Sequence, residues 1–155
     1  MPHLPALDQT TLGAELAAVV TAVWFEIDHR DGSGVSAFFT PDAELRLGER
    51  TFRGRAEIDA LYATRAARGP RVSRHLACNL HVVSAGYGEP PRATAVSSLL
   101  LFAQDGEPPR STVTPAMVGD VTDEFEWHDG TWLIRSRHLS LLFTAPELDL
   151  AVPVR

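Results

Sequence analysis

Asp28, in the run WFEIDHRD, and His75, in the run RVSRHLACN, are the two residues of this chain best suited to move a proton together. A carboxylate beside an imidazole orients the ring, fixes its tautomer and stabilises the imidazolium, which makes the ring a general base with a built-in partner. An unperturbed imidazole titrates near pH ~6.5, so it can accept a proton at neutral pH and return it. The same two residues also have a plain structural reading, a core histidine satisfied by Asp28 that ties a helix to a sheet. Asp28 alone could equally be a helix-end acid facing water or bound to Arg74, since acids are usually exposed.

Other polar side chains join these two as candidates for binding substrate. Tyr62 could present its hydroxyl as a donor to a developing enolate, or simply pack. Asp123 and His138 could form a second acid/base couple, or a hydrogen bond between neighbouring strands. Trp24 and Phe39, with Phe38, Phe125 and Trp132, supply aromatic surface for the wall of an apolar pocket. Asn79 and His81 share strand parity with His75, but four residues of strand cover ~13 Å and six cover ~20 Å. His75 and His81 therefore cannot bind one metal, and Asn79 could touch only the far end of a long substrate. His29 sits about 100° around a helix from Asp28 and points elsewhere. No metal is expected, because none of these ligands has suitable local spacing. No other cofactor is expected either: Gly32, Gly34, Gly48, Gly54 and Gly69 form neither GxGxxG nor a Walker pattern. No nucleophile elbow supports a Ser–His–Asp triad.

Those residues must be positioned by helices in the first half of the chain and strands in the second. Residues 1–9 read as a loose arm, and Thr10 or Thr11 can cap a helix running to about residue 30. Leu12, Leu16, Val20, Val23, Trp24 and Ile27 recur at helical spacing, and Asp28 lies on the edge of that stripe. Asp31-Gly-Ser-Gly interrupts the helix, and Val35–Phe39 makes a second, short one that Thr40-Pro41-Asp42 stops. Ala43–Leu47 and Thr51–Arg53 read as a small hairpin, and a third helix covers about Ala56–Arg68 before Gly69-Pro70. Arg71–Ala85, Arg92–Ala103, Ser111–Trp127 and Thr131–Phe143 are long β-type runs joined by turn residues. Asp129-Gly130 suits a two-residue hairpin, which pairs Trp127 with Trp132, Phe125 with Ile134, Asp123 with Ser136 and Val121 with His138. On that pairing Asp123 and His138 share a face on a diagonal, and Glu124 meets Arg135 on the other. Helices first and an antiparallel sheet second is an α+β arrangement.

Size and charge narrow the function classes. One domain of 155 residues carries 45% hydrophobic and 22% charged residues, values typical of a globular protein. A net charge of -6 and scattered, acid-balanced arginines argue against nucleic acid. The apolar stretch Leu16–Ile27, interrupted by Thr21 and Glu26, is short of the ~20 residues that span a bilayer. No signal peptide is visible, so no membrane partner and a cytoplasmic location are expected. The lone Cys78 excludes an intrachain disulfide and reads as a small core hydrophobe on the face opposite His75.

Taken in order, several of these pieces resemble the nuclear transport factor 2-like cone fold, and within it the SnoaL-like branch. They are the Asp28 helix end, Phe39-Thr40-Pro41-Asp42-Ala43, and Phe52-Arg53-Gly54 before a helix. Arg74-His75 followed by Asn79 comes next, and then Asp123 with Asp129-Gly130-x-Trp132-x-Ile134-x-x-Arg137. The resemblance spans about Ala17 to Leu142. It implies a cone-shaped, curved, mostly antiparallel sheet with three N-terminal helices on its concave side, and a homodimer formed through the outer sheet face. Polyketide cyclases, scytalone dehydratase, ketosteroid isomerase, epoxide hydrolases and the non-catalytic β subunits of ring-hydroxylating dioxygenases share that fold. Asp28 and His75 resemble the Asp–His pair of scytalone dehydratase, which implies that both point into the cone. Two features depart from that enzyme: Ile27 stands where it has a tyrosine, and Ala93–Ala103 lacks its second histidine.

The resemblance and the residues together imply a dehydratase, isomerase or cyclase acting on a small, hydrophobic, carbonyl-bearing molecule of polyketide or steroid type. His75 would abstract a proton beside the carbonyl and Asp28 would orient it. The alternative is a non-catalytic ligand-binding or scaffolding subunit, like a dioxygenase β chain. An open pocket of roughly 300 Å³ or more favours the enzyme or carrier, and a plugged cone favours the scaffold.

Overall fold

The computed structural model describes residues 8–111 and 114–145. The first helix, α1, covers Gln9–Arg30. Leu12, Leu16, Val20, Val23, Trp24 and Ile27 are all buried along one stripe, as their spacing predicts. The cap differs from expectation. Asp8, not Thr10 or Thr11, caps α1, its carboxylate accepting from the Thr10 and Thr11 amides at 3.0 Å each. An ionised carboxylate accepts more strongly than a hydroxyl and also faces the positive helix end. Asp8 and Gln9 thus belong to the helix, and the rest of the expected arm lies outside the described residues. Despite Thr21 and Glu26, α1 is long and apolar enough to cross a membrane by length and composition alone. Its apolar stripe is spent on the core of this domain.

At the far end Asp31 and Gly32 take left-handed backbone angles, and the Gly32 amide closes the helix on the Glu26 carbonyl at 3.0 Å. The expected second helix is a single 3₁₀ turn over Val35–Phe38, too short to count as one of three helices. Extended backbone resumes already at Phe39, because Pro41 cannot donate to a continuing helix.

The strands are β1 Phe39–Leu47, β2 Arg50–Arg53, β3 Arg71–Gly86, β4 Arg92–Asp105, β5 Met117–His128 and β6 Thr131–Thr144. The second helix, α2, spans Gly54–Ala66. The six strands form one curved sheet in the order β2-β1-β6-β5-β4-β3. Every pairing is antiparallel except β1 with β6. Along β4 burial alternates strictly, with Ala93, Ala95, Ser97, Leu99, Leu101 and Ala103 facing inward. Bulges interrupt β3 and β6, and such bulges bend strands and turn a flat sheet into a concave one.

The β5–β6 hairpin begins as predicted and then departs. Asp129 and Gly130 both have positive φ, and Trp127 pairs with Trp132 and Phe125 with Ile134. Beyond Ile134 an extra residue, Arg135, enters β6, so that Glu124 pairs with Ser136, Asp123 with Arg137 and Val121 with Leu139. One extra residue reverses the side chains that follow, as far as the next irregularity at Leu142. Arg137 therefore faces inward opposite Asp123, and His138 turns to the other face, opposite Thr122 and Arg46. The expected Asp123–His138 diagonal does not exist.

Candidate active site

Asp28 and His75 meet. α1 carries Asp28 one turn beyond Trp24, and β3 carries His75 on the concave side of the sheet. The Asp28 side chain is only 5% exposed, and it is saturated with donors. Its Oδ1 lies 2.7 Å from His75 Nδ1 and accepts from the Ser73 hydroxyl at 2.7 Å. Its Oδ2 accepts from the His75 backbone amide, also at 2.7 Å. An ionised carboxylate can only accept, so Nδ1 carries a proton toward it, and the neutral tautomer that this selects has its lone pair on Nε2. Trp24 stacks on the same imidazole, with ring centroids 4.3 Å apart and planes within 7°. α1 thus holds the ring by its edge and by its face.

Burial opposes ionisation of Asp28, but the His75 ring, the His75 amide and the Ser73 hydroxyl outweigh it. Its carboxyl is held below the ordinary carboxylate range. Asp28 is therefore an anion at neutral pH.

His75 forms part of the wall of a cavity between α1, α2 and the sheet. Trp24, Ile27, Leu101, Met117 and Leu139 make its apolar surface, and Tyr62, Arg65, Arg71 and Ser73 its polar one. The cavity encloses about 80 Å³, and about 610 Å³ when the open space at its mouth is counted. The enclosed part is the volume that a ligand could fill. It lies under the ~300 Å³ expected above of an enzyme or carrier, so that mark is not reached, although side chains do not fill the space completely.

Of the aromatic residues expected to line the pocket, only Trp24 does. Phe39, Phe125 and Trp132 are buried in the core. Trp132 is tied there by its indole N–H, which donates to Glu15 of α1 at 3.0 Å. Asp123 and Arg137 form a fully buried, two-pronged pair at 2.7 and 2.8 Å, away from the cavity wall. The Arg137 guanidinium lies 4.8 Å from the Trp24 ring and 5.9 Å from that of Phe39. His138 is on the outer face. Asn79 is likewise removed from the site: it has φ +55° at a bulge between Cys78 and His81 and is exposed. Its parity with His75 is lost at that bulge. Cys78 is exposed rather than buried, because the face opposite His75 is the outside of this domain.

Tyr62 does reach the cavity. Its ring packs over Gly32, where an added Cβ would lie 2.7 Å from the ring carbons. Burial pushes its hydroxyl up to about 12, against the pull of Arg137 and Arg65. It is a neutral phenol that can donate a hydrogen bond.

Ser73, Arg65 and Arg71 are site residues that the sequence alone does not single out. Arg71-x-Ser73-x-His75 is an inward alternation, and extending the parity of His75 backwards is the signal that finds it. Arg65 follows Leu61 by one helical turn, on the buried side of α2. In the sequence both arginines look like balanced surface charges. Among the described residues no three His, Cys, Asp or Glu side chains converge as a metal site would need.

Solved structures resemble this one over most of its length. Aln2 from a Streptomyces species superposes with a TM-score of 0.72 at 20% identity, covering 88% of this chain and 94% of that one. ActVI-ORFA from Streptomyces coelicolor gives 0.69 at 26%, with 84% and 97% covered. A protein from Catenulispora acidiphila in complex with S-DNPA gives 0.72 at 21%, with 86% and 95% covered. Likeness at about one residue in five shows a shared fold and nothing finer. No curated protein matches the sequence. A family model described as a SnoaL-like domain matches residues 8–138, most of the chain, and the protein is therefore a member of the SnoaL-like domain family.

Proposed function

We propose that this protein is a proton-transfer enzyme, a dehydratase, isomerase or cyclase, acting on a small, hydrophobic, carbonyl-bearing substrate. The observation that carries this reading is the 2.7 Å contact between Asp28 Oδ1 and His75 Nδ1 on the wall of a cavity. His75 Nε2 takes a proton from the carbon beside the carbonyl, and the C–H electron pair moves into the enolate. The positive charge that develops on the imidazole is balanced by Asp28. The enolate oxygen receives the Tyr62 hydrogen bond, which strengthens as charge accumulates there. Collapse of the enolate then expels a β-hydroxyl as water, returns the proton to another carbon, or forms a C–C bond to an internal carbonyl. His75 supplies the proton each outcome requires. The enclosed volume suits the reactive end of a substrate whose remainder lies in the mouth.

Solvent deuterium exchange tests this without the natural substrate. Phenylacetone in D₂O, followed by proton NMR, is expected to lose its benzylic protons faster with the wild-type protein than in buffer. His75→Ala is expected to return the rate to background. Wild-type exchange in both His75→Ala and Asp28→Asn would show that the dyad is not the base.

A further inference from the structure

Among the described residues the cavity wall carries two arginines and no carboxylate, in a protein whose net charge is -6. The other charges buried around the dyad are matched. Arg137 is gripped by both oxygens of Asp123, and Asp28 is occupied by His75 and Ser73. Arg65 and Arg71 are not matched in this way. The Arg65 side chain is 8% exposed, yet its contacts are long: 3.5 Å to Asp31, which is itself 70% exposed, and 3.5 Å to the Ser73 hydroxyl. Arg71 is 7% exposed, and its Nε donates to Asp105 at 2.7 Å. Nη2 lies equally close to that oxygen but is not aligned with it, so this buried nitrogen makes no hydrogen bond among the described residues. Burial and the neighbouring Arg71 charge both work against the Arg65 cation. Two like charges on one cavity wall, one with only long contacts and the other with an unused donor, are an arrangement that a planar anion completes.

We propose that Arg65 and Arg71 form an anion subsite, and that the substrate of this protein carries a carboxylate. This rests on the proton-transfer reading for what happens at the other end of the molecule. Arg71, Ser73 and His75 occupy successive inward positions of β3, which separates the Cα atoms of Arg71 and His75 by ~13 Å. A carboxylate seated on the arginines therefore leaves the carbonyl and its acidic C–H several bonds away, beneath Nε2. In place of uniform greasy binding, the anion fixes which carbon faces the base. Asp31 and Asp105 are exposed enough to be rehydrated when the ligand carboxylate replaces them.

Phenylacetate and phenylacetamide share ring and chain and differ at the head group, an anion in one and a neutral amide in the other, with binding followed by tryptophan fluorescence and by the His75 and Arg71 side-chain NMR signals. Phenylacetate is expected to bind at least about ten-fold more tightly. Arg65→Gln and Arg71→Gln are each expected to erase most of that preference while leaving phenylacetamide within about two-fold. Arg71→Lys, which retains the charge and the Asp105 pairing, guards against misfolding and is expected to keep part of the preference. Asp105→Asn removes the competing carboxylate and is expected to raise phenylacetate affinity, which a purely structural Arg71–Asp105 bridge would not do. Equal affinity for the two probes, no binding of either at millimolar concentration, or a preference that survives both glutamine variants would overturn the subsite. His75→Gln separates the two proposals: it is expected to keep the carboxylate preference while losing deuterium exchange. Loss of exchange without any carboxylate preference would overturn the subsite and leave the base standing.

Discussion

Trp24 and Asp28 are one helical turn apart on α1 and grip the same imidazole, the first by stacking on His75 at 4.3 Å and the second by its 2.7 Å contact with Nδ1. A base held on face and edge cannot rotate away from the cavity without breaking both contacts. The tautomer and the orientation of His75 thus follow from a single turn of helix, which is itself anchored by a continuous stripe of buried residues.

Replacing Asp28 with asparagine keeps the shape and removes the acceptor-only character that decides the tautomer. Asp28→Asn is expected to slow deuterium exchange by about 10²–10⁴-fold. ¹⁵N NMR of the His75 ring is expected to show a larger share of the tautomer protonated at Nε2. An unchanged tautomer with unchanged exchange would remove Asp28 from its positioning role.

The same carboxylate links folding to pH. Because Asp28 is held below its ordinary value of 3.8 in the folded chain, its contribution to stability is complete above that value. It is lost as pH falls through the depressed folded value. The melting-temperature gap between wild type and Asp28→Asn is expected to be widest near neutral pH and to close in strong acid. A gap that does not vary with pH would contradict this.

Gly32 is expected to matter through Tyr62. Its φ of +72° already disfavours any side chain, and a Cβ there would lie 2.7 Å from the Tyr62 ring. Gly32→Ala is expected to destabilise the fold by at least about 1 kcal/mol and to displace the Tyr62 ring signals in NMR spectra. Gly69 has φ +101° and nothing within 4 Å of where a Cβ would stand, so Gly69→Ala is a control for backbone strain alone.

The buried Arg137–Asp123 pair predicts strong non-additivity. Asp123→Leu or Arg137→Met alone strands a buried partner and is expected to cost about 3–5 kcal/mol. Asp123→Leu combined with Arg137→Met is expected to recover much of that loss. Urea denaturation of the single and double variants measures the coupling, and additive losses would argue against a tightly paired interior.

Much of this architecture is legible in the sequence because hydrophobic periodicity is a local signal. The stripe from Leu12 to Ile27, the four long strands and the Asp129-Gly130 turn follow from residue types and spacing. So does the candidacy of Asp28 and His75, although only the family resemblance links two elements so distant in sequence. What stays hidden depends on counting across bulges. Strict alternation assigns Asn79 and His138 to the interior, and each lies at or beyond a bulge that no residue type announces. Arg65 and Arg71 do not stand out because long cationic side chains are usually exposed. Their burial follows from helix and sheet closing on each other, which composition does not report.

The bulge at Arg135 separates two reading frames of β6, one from the turn to Ile134 and one from Ser136 to Leu141. The turn sets the frame as far as Ile134, and the Asp123–Arg137 pair sets the frame beyond it. Arg135 is the punctuation between them, so a chain lacking that one residue would keep both frames intact. A chain in which the bulge were ironed out would behave differently, turning His138 inward and Arg137 outward. Ser136 would then face Asp123, and the buried carboxylate would lose the guanidinium that now grips it. Whether Asp123 keeps its buried cation is thus settled by the bulge rather than by residue type.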